Sequence, residues 1–528
     1  MSLTSYTTCQ VRSKFEEEGA TLLPSPEGTP IGHFFFETRA FTGRGHITLS
    51  PSNGSIASLF TFTTSLHPSA LSGLASRAHT PPISNAAQRG SLSSEAFRMS
   101  VPPDLLSVLS VLIVGAGQAG LSLAARFKRL GVEGVLIVEK NRRVGDNWRR
   151  RYDSLHLHDP RNACSLPYMA MPSCYPKFVP KDLVADYLEG YADTMSLDVR
   201  LETSVVEGGA TYDDKAKEWT VQVSTSGAAS MLRCRHLVIA TGLSGFARIP
   251  KFEGSDVFKG SVMHSSKFTG HETASNVVIV GSNTSAHDIA QAMYGKGSKV
   301  TMVQRSATTV LSLDSHAGIL MSAFNGGAEK GRADPDANDA LGEVELLNLE
   351  IAAFHSNSYR KLEGVSREVV VPACKANDAN LLRGLESAGM KLDWGEDETG
   401  LLMKFLRRGS GYYMSIGCSE LIAAGDIELV QCDGSEVGFY EGGIDVAGKQ
   451  LEADLVVACT GYTNMSSWVS LLCGPSIASK VGHVGGYGSG TRDDALPYVG
   501  EMRNMWGKTG QEGLWIMAGN FTQCRFYR

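Results

Sequence analysis

The sequence predicts an α/β chain with two parallel-sheet units, one set inside the other, and a small β-rich segment ahead of them. Three observations predict it. An apolar strand running into a glycine-marked turn and then a helix occurs twice, as VLIVGAGQAGLSLAARF and VVIVGSNTSAHDIAQAM. Each is followed far downstream by a similar closing strand, LRCRHLVIATG ending at Gly242 and LEADLVVACTG ending at Gly461. Buried apolar strands alternating with helical patterns are the signature of parallel units.

Residues 1–66 differ in texture. From His33, HFFFETRAFTGRGHITLSPSNGSIASLFTFTTSL mixes aromatic and β-branched residues with turn signals, as short antiparallel strands do. Ser, Thr, Pro and Ala then dominate, and 67–107 reads as a flexible linker. The first unit is expected over 108–270, the second over 271–450, and a return to the first over 451–528. Within the second, about 312–406 is rich in Leu, Ala, Glu and Asn and reads as a helical insertion, either a cap over a substrate pocket or a packing element.

The first turn carries Gly115, Gly117 and Gly120. In a dinucleotide-binding (Rossmann-like) unit the first glycine permits the tight turn, the second lets the backbone approach a pyrophosphate, and the third lets helix and strand pack closely. Such a motif alone is weak, because a glycine-rich turn can exist without a ligand. A second strand, VEGVLIVEK, ends in Glu139, nineteen residues past Gly120, where a carboxylate can bind ribose hydroxyls. The interruption of the first unit by the second makes FAD the expected tenant of the first turn.

In the second turn Gly281 supplies the bend and Ala286 replaces the third glycine, but Asn283 stands where the second is expected. Asparagine tolerates left-handed backbone, although its side chain crowds the approach to a pyrophosphate. The next strand, SKVTMVQRS, ends in Gln304 and Arg305 rather than a carboxylate. Arg305 can pair with a 2′-phosphate, so NADPH is expected over NADH; otherwise it is an exposed strand-end charge.

Composition narrows the function classes. With 528 residues, 42% hydrophobic and 20% charged, the chain can bury an ample core. A formal net charge of -6 gives no electrostatic footprint for nucleic acid. The ten cysteines include no CxxC pair or metal-like cluster, which argues against a disulfide scaffold, a zinc site and a disulfide oxidoreductase. Neither a signal peptide nor an apolar run long enough for a bilayer is present, so cytoplasmic residence is expected, with no membrane anchor.

Between the turns sits FKGSVMHSSKF, with Phe258, Gly260, His264 and Phe268 in the order FxGxxxHxxxF. Here the chain resembles the class B flavin-dependent monooxygenases, most closely the flavin-containing monooxygenase branch with its YUCCA-like members. The Baeyer–Villiger fingerprint would have Trp in place of Phe268, followed by Pro or Asp, where this chain has Thr269. The resemblance runs from about Val108 to Tyr527. It implies flavin contacts at Gly145, Asn147, Trp148, Gly519 and Asn520, and cofactor-binding positions on the closing strands at Thr241, Gly242, Thr460 and Gly461. It makes His264 a linker and cofactor-domain element rather than a proton donor. Similar proteins continue into a further helix past the position of Arg528.

The resemblance further implies FAD and NADPH as cofactors, with O2 and a small organic molecule as substrates. One oxygen atom is inserted through a flavin C4a-hydroperoxide; the enlarged middle insertion, with no recognisable partner-binding module beside it, points to a tailoring step in specialised metabolism. The cofactor supplies that chemistry, and the protein orientation and a dry pocket. HLHDPRNACSLPY offers His158, Arg161 and Asn162 as polar groups beside the reacting centre, His158 first. His156 and His158 share a face if the segment is a strand. Three alternatives stay open: a catalytically silent FAD-binding protein, an uncoupled NADPH oxidase and a Baeyer–Villiger-type enzyme.

Overall fold

The structure is a computed structural model that describes residues 108–320, 358–432, 437–499 and 501–526, together with the strands of 23–66. The chain divides into two units, Met1–Phe97 and Arg98–Arg528. In the first, β1 (Leu23–Pro24), β2 (Pro30–Glu37), β3 (Phe41–Leu49) and β4 (Ile56–Leu66) form an antiparallel sheet in chain order. The linker expected at 67–107 lies outside the described residues.

The second unit holds two parallel sheets. The first is built from β5 (Leu109–Val114), β6 (Val135–Val138), β7 (Val199–Arg200), the end of β10 (Ala228–Ile239) and β21 (Leu514–Ile516), side by side as β7-β6-β5-β10-β21. The beginning of β10 forms an antiparallel meander with β8 (Thr203–Asp213) and β9 (Glu218–Thr225). Alternation along β5 sends Leu112 and Val114 to one core, with Trp219 and Val221 of β9, and Val111 and Ile113 to another. That second core receives α1 (Gln118–Arg129) and α2 (Lys181–Thr194), through Leu121, Ala124 and Ala125 of the first and Val184 and Leu188 of the second, which recur at helical spacing.

The other sheet repeats this plan with β11 (Ser261–His264), β12 (Asn276–Val280), β13 (Lys299–Gln304), β16 (Glu428–Gln431) and β20 (Leu455–Ala458), ordered β16-β13-β12-β20-β11. Helix α3 (Thr284–Tyr294) covers one face through Ala286, Ile289 and Met293. A meander of β17 (Val437–Tyr440), β18 (Gly443–Val446) and β19 (Lys449–Glu452) closes the other.

These pairings move two boundaries expected from the sequence. Both β11, placed before residue 270, and β20, placed after residue 451, belong to the second sheet. The apolar run LVVA must lie beside β12 to complete the buried centre of that sheet, pairing Leu455 with Val277 and Val457 with Ile279. The described return to the first sheet comes at β21, where Leu237 and Ile239 pair with Leu514 and Ile516.

The expected insertion is helical where described. After β14 (Thr309–Ser312), a one-turn π-helix Ser315–Leu320 precedes α4 (Ser358–Val365), α5 (Val371–Asn377), α6 (Ala379–Ser387) and α7 (Gly400–Arg408). The chain then enters β15 (Tyr412–Ser415), which pairs with β14, and α8 (Cys418–Ala424). Residues 321–357 of the insertion lie outside the described residues. Helices α9 (Ser466–Cys473), α10 (Pro475–Val481) and α11 (Phe521–Phe526) complete the unit.

Candidate functional site

The two turns share one geometry. Gly115 has φ +111°, and a Cβ on it would lie 2.5 Å from the carbonyl oxygen of Ala240, just past β10. Gly281 has φ +128°, and its Cβ would lie 2.5 Å from the carbonyl oxygen of Cys459, just past β20. A side chain is excluded at both positions by the same contact with the closing strand. At Gly120 a Cβ would fall 2.1 Å from the Gly115 oxygen, which is the close helix–strand approach expected of a third glycine. Ala286, its counterpart, is fully buried in α3.

The second glycine position is the informative one. Gly117 has φ -84°, ψ -175°, and its Cβ would meet only Asn147 Nδ2, at 4.0 Å. Asn283 has nearly the same backbone, φ -98°, ψ -172°, and its side chain makes no cap hydrogen bond to α3. The left-handed conformation weighed for Asn283 is therefore not used, because the turn bends at Gly281. An L-residue fits here without strain, and a glycine would serve only to clear space for a ligand.

Around the first turn, Glu139 is buried; Oε2 accepts from Ala116 N at 2.8 Å, and Oε1 from Asn141 N and Nδ2 at 2.9 and 2.7 Å. A carboxylate oxygen has two acceptor sites, so Oε2 retains one for a ribose hydroxyl. Gly145 (φ +88°) must be glycine, because a Cβ would lie 2.5 Å from Ala185 O in α2. Behind it, Asn147 faces the turn and Trp148 packs 6.1 Å from Phe521, its buried Nε1 without a partner. Thr241 Oγ1 is also buried without a partner, and nothing lies within 4 Å of a Cβ built on Gly242. Gly519 O accepts from Gln118 Nε2 at 3.1 Å. Asn520 caps α11 reciprocally: Gln523 N donates to its Oδ1 at 2.9 Å, while its own N donates to Gln523 Oε1 at 3.2 Å.

Around the second turn, Arg305 is exposed past β13, whereas Gln304 is fully buried and exchanges hydrogen bonds with the backbone of Lys391. His264 is buried; Ser266 N donates to its Nδ1 at 3.1 Å, so Nε2–H donates to Gly461 O at 3.1 Å. Thr460 Oγ1 donates to Arg248 O. His264 thus ties β11 to the loop after β20.

Where the two halves meet, polar side chains collect. The Tyr152 hydroxyl donates to Asp288 Oδ2 at 2.5 Å, and Asp288 Oδ1 is buried without a partner. Burial raises the pKa of Asp288, with His158 and Tyr152 pulling the other way. His158 is held below its ordinary value by burial, opposed by Asp288 and Asp159. Asp159 accepts from His316 Nε2 at 3.1 Å; burial works against its charge, yet His316 and His158 keep its pKa below the usual range. His287 stacks on Tyr413 at 3.9 Å and gives Nδ1–H to Asn283 O, and burial lowers it to about 4, so it is neutral at pH 7.

Of the three polar residues expected beside the reacting centre, His158 joins this cluster. Arg161 does not: its Nη1 donates to the carbonyls of Ser173 and Tyr175, the latter at 2.6 Å, so the guanidinium holds a loop. Asn162 lies in the short turn Arg161–Cys164. The segment is not a strand beyond a single bridge between His156 and Pro180, and His156 is exposed while His158 is half-buried. Sequence reasoning missed Tyr152, Asp159, Asp288 and His316. A signal existed for Asp288, a carboxylate among Ala286, Ile289, Ala290 and Met293 on the buried face of a helix.

No group of His, Cys, Asp and Glu among the described residues could hold a metal, and no described helix is long and apolar enough to cross a membrane. The nine described cysteines are all free.

Residues 112–317 match the family described as pyridine nucleotide-disulphide oxidoreductase. Among curated proteins, a probable indole-3-pyruvate monooxygenase of Arabidopsis thaliana, YUCCA3, is 28% identical over 369 residues, covering 68% of this chain and 74% of that protein. The indole-3-pyruvate monooxygenase YUCCA1 of Oryza sativa subsp. japonica is 33% identical over 207 residues; that match spans 39% of this chain and half of the rice protein. Among solved structures, an oxidized steroid monooxygenase bound to NADP aligns with a TM-score of 0.50 and 20% identity, over 69% of this chain and 73% of that one, a likeness of fold.

Proposed function

The chain is a flavin-containing-monooxygenase-like, YUCCA-like protein, and on that premise we propose that it is an FAD-dependent, NADPH-consuming monooxygenase acting on a small organic substrate. The observation that carries this reading is the matched pair of turns, in which Gly115 and Gly281 abut the carbonyls of Ala240 and Cys459 at the same 2.5 Å. Two dinucleotide-binding units, one nested in the other, account for it. In this reading FAD belongs to the sheet of β5 to β10 and β21, and NADPH to the sheet of β11 to β20. The β-rich segment 1–66, the linker 67–107 and the insertion complete the domain plan.

The side chains present fit these groups. The first cradle is open at Gly117 and Gly242, and it has an orphaned hydroxyl on Thr241 and a spare acceptor on Glu139. Gly117 and the first amides of α1 would hold the pyrophosphate, with the helix N-terminus favouring its charge. The same turn at Gly281, with the exposed guanidinium of Arg305 at the end of β13, would hold NADPH by its pyrophosphate and 2′-phosphate. Bound together, FAD and NADPH supply hydride transfer and oxygen chemistry that amino acids lack. The protein's part is to align the two cradles, exclude water and place polar groups such as His158 at the junction.

Substrate class follows the curated relatives, which are named for indole-3-pyruvate; a small 2-oxo acid is the first candidate. The helical insertion supports a pocket cap and a tailoring role on a small metabolite. The test is to quantify bound FAD and then add NADPH or NADH without oxygen, following flavin absorbance near ~450 nm. Fast bleaching by NADPH in preference to NADH is the expected result. Bound FAD that neither nucleotide bleaches would overturn the reading in favour of a silent flavoprotein.

A further inference from the structure

His316 is 4% exposed and its two ring nitrogens have different fates. Nε2–H donates to Asp159 Oδ1 at 3.1 Å, while Nδ1 is buried with no partner. A buried polar atom without a partner is uncommon in a folded protein and calls for a reason. The residue sits on the one-turn π-helix Ser315–Leu320, a rare conformation that is frequent at functional sites.

The insertion holds that turn firmly. Ser312 N donates to Asp378 Oδ2 at 2.8 Å, and Asn377 Nδ2 donates to Ser315 Oγ at 2.9 Å, so the junction of α5 and α6 fixes the chain on either side of the exposed Asp314. Across from it lie Asp159 and His158 on the loop after Tyr152. Asp288 of α3 acts on His158, and Tyr412 of β15 lies beside Asp159. Thr284 Oγ1, from the second turn, donates to Tyr412 O at 3.0 Å. The imidazole therefore stands where the insertion, the second turn and the first-half loop converge.

Its chemistry is set by the carboxylate. With Nε2–H committed to Asp159, the neutral ring keeps a free electron pair on Nδ1, and in the protonated ring both nitrogens donate. The ring can then donate Nδ1–H to an oxygen, as an imidazole oriented by a carboxylate does in a catalytic triad. We propose that His316, oriented by Asp159, contacts the carbonyl or carboxylate end of a small organic acid bound at this junction, with Asp159 as the positioning residue. The proposal rests on the monooxygenase reading and adds to it the residue that the insertion contributes.

The test uses the full chain loaded with FAD, with indole-3-pyruvate as probe and no nicotinamide cofactor, so that equilibrium dialysis reads binding without turnover. His316→Leu is expected to weaken binding by about tenfold or more, and His316→Asn, which keeps a donor near Nδ1, to stay within about threefold of the native protein. Asp159→Asn falls between them. Equal binding by the native chain and His316→Leu overturns the proposal, as does failure of the native chain to hold the probe. Anaerobic bleaching by NADPH, measured separately without probe, reports on the underlying reading: if it fails, that reading falls, whereas unchanged binding with normal bleaching sinks His316 alone. Should His316→Leu fail to fold, the 15N resonance of His316 Nδ1 in the native chain decides, a shift on adding probe supporting the contact and no shift overturning it.

Discussion

The Tyr152 hydroxyl donates to Asp288 Oδ2 at 2.5 Å, joining the loop that follows β6 and the short helix Asp146–Arg149 to α3, the helix that leaves the second turn, 136 residues away in sequence. Both partners are buried, and Asp288 Oδ1 has no partner. Tyr152→Phe would leave a buried carboxylate with no donor on either oxygen, at a cost of about 1–3 kcal/mol in urea unfolding. The pH dependence has a definite sign. Burial raises Asp288 above 3.8, so the unfolded chain gives up this proton at a lower pH than the folded one. Stability contributed by Asp288 is thus greatest below 3.8 and is lost as pH climbs towards the raised folded value. Asp288→Asn should flatten that slope, and an unchanged unfolding-versus-pH curve would show that the carboxylate is not burdened as its surroundings imply.

Gly115 and Gly117 should answer alanine differently. At Gly115 the φ of +111° and the 2.5 Å approach to Ala240 O make Gly115→Ala both strained and overpacked, costing on the order of 3 kcal/mol or more. Gly117→Ala meets only Asn147 Nδ2 at 4.0 Å with φ -84°, so the protein should melt within a few degrees of the native chain. Its flavin content should fall, because the added methyl occupies the pyrophosphate's approach. Flavin absorbance and thermal melting on the two variants separate folding from binding.

Asn283→Gly tests the second turn from the other side. Asn283 adopts the backbone of Gly117 and its side chain caps nothing, so its removal should alter stability by only a few tenths of a kcal/mol. Clearing that side chain from the start of α3 should tighten NADPH severalfold, read as a lower Kd from anaerobic flavin bleaching. Weaker binding in Asn283→Gly would mean that the amide contacts the cofactor rather than crowding it.

How far the sequence reached depended on how local each signal was. The turns were legible because Gly115, Gly120 and Gly281 are demanded by a neighbour a few residues away or by a closing strand of recognisable pattern: Gly120 against Gly115, Gly115 against Ala240 and Gly281 against Cys459. The closing strands were legible for the same reason, yet LVVA at 455–458 carries nothing that says which of two similar sheets it completes. The junction was largely illegible. His316 finds Asp159 across 157 residues and Tyr152 finds Asp288 across 136, and no periodicity or spacing encodes such pairs. The partners of Arg161 were equally illegible: it stood out as a polar group in HLHDPRNACSLPY, but the loop at Ser173–Tyr175 folds back and takes its guanidinium.

Arg407 supplies the last prediction, because it joins the insertion to the segment that leads back to the first sheet. The side chain is fully buried in α7, yet each nitrogen is engaged: Nη1 and Nη2 donate to Asp397 at 2.8 and 2.5 Å, Nη2 also to Glu363 at 2.8 Å, and Nε to the Tyr487 hydroxyl at 2.9 Å. Arg407→Ala would strand two carboxylates and should cost about 3–5 kcal/mol, whereas Arg407→Met paired with Glu363→Leu and Asp397→Leu should recover much of that loss. Burial pushes Asp397 upward, but the Arg407 and Thr399 hydrogen bonds prevail and hold it at about 2. A depressed folded value stabilises the protein above the unfolded 3.8 and is lost as pH falls from there through about 2. Acid unfolding of the native chain should therefore be steep in that window, and Arg407→Met should make it shallower. Because Tyr487 belongs to the returning segment and Glu363 to α4, loosening the knot should also raise hydrogen exchange in both, which a purely local role for Arg407 would not do.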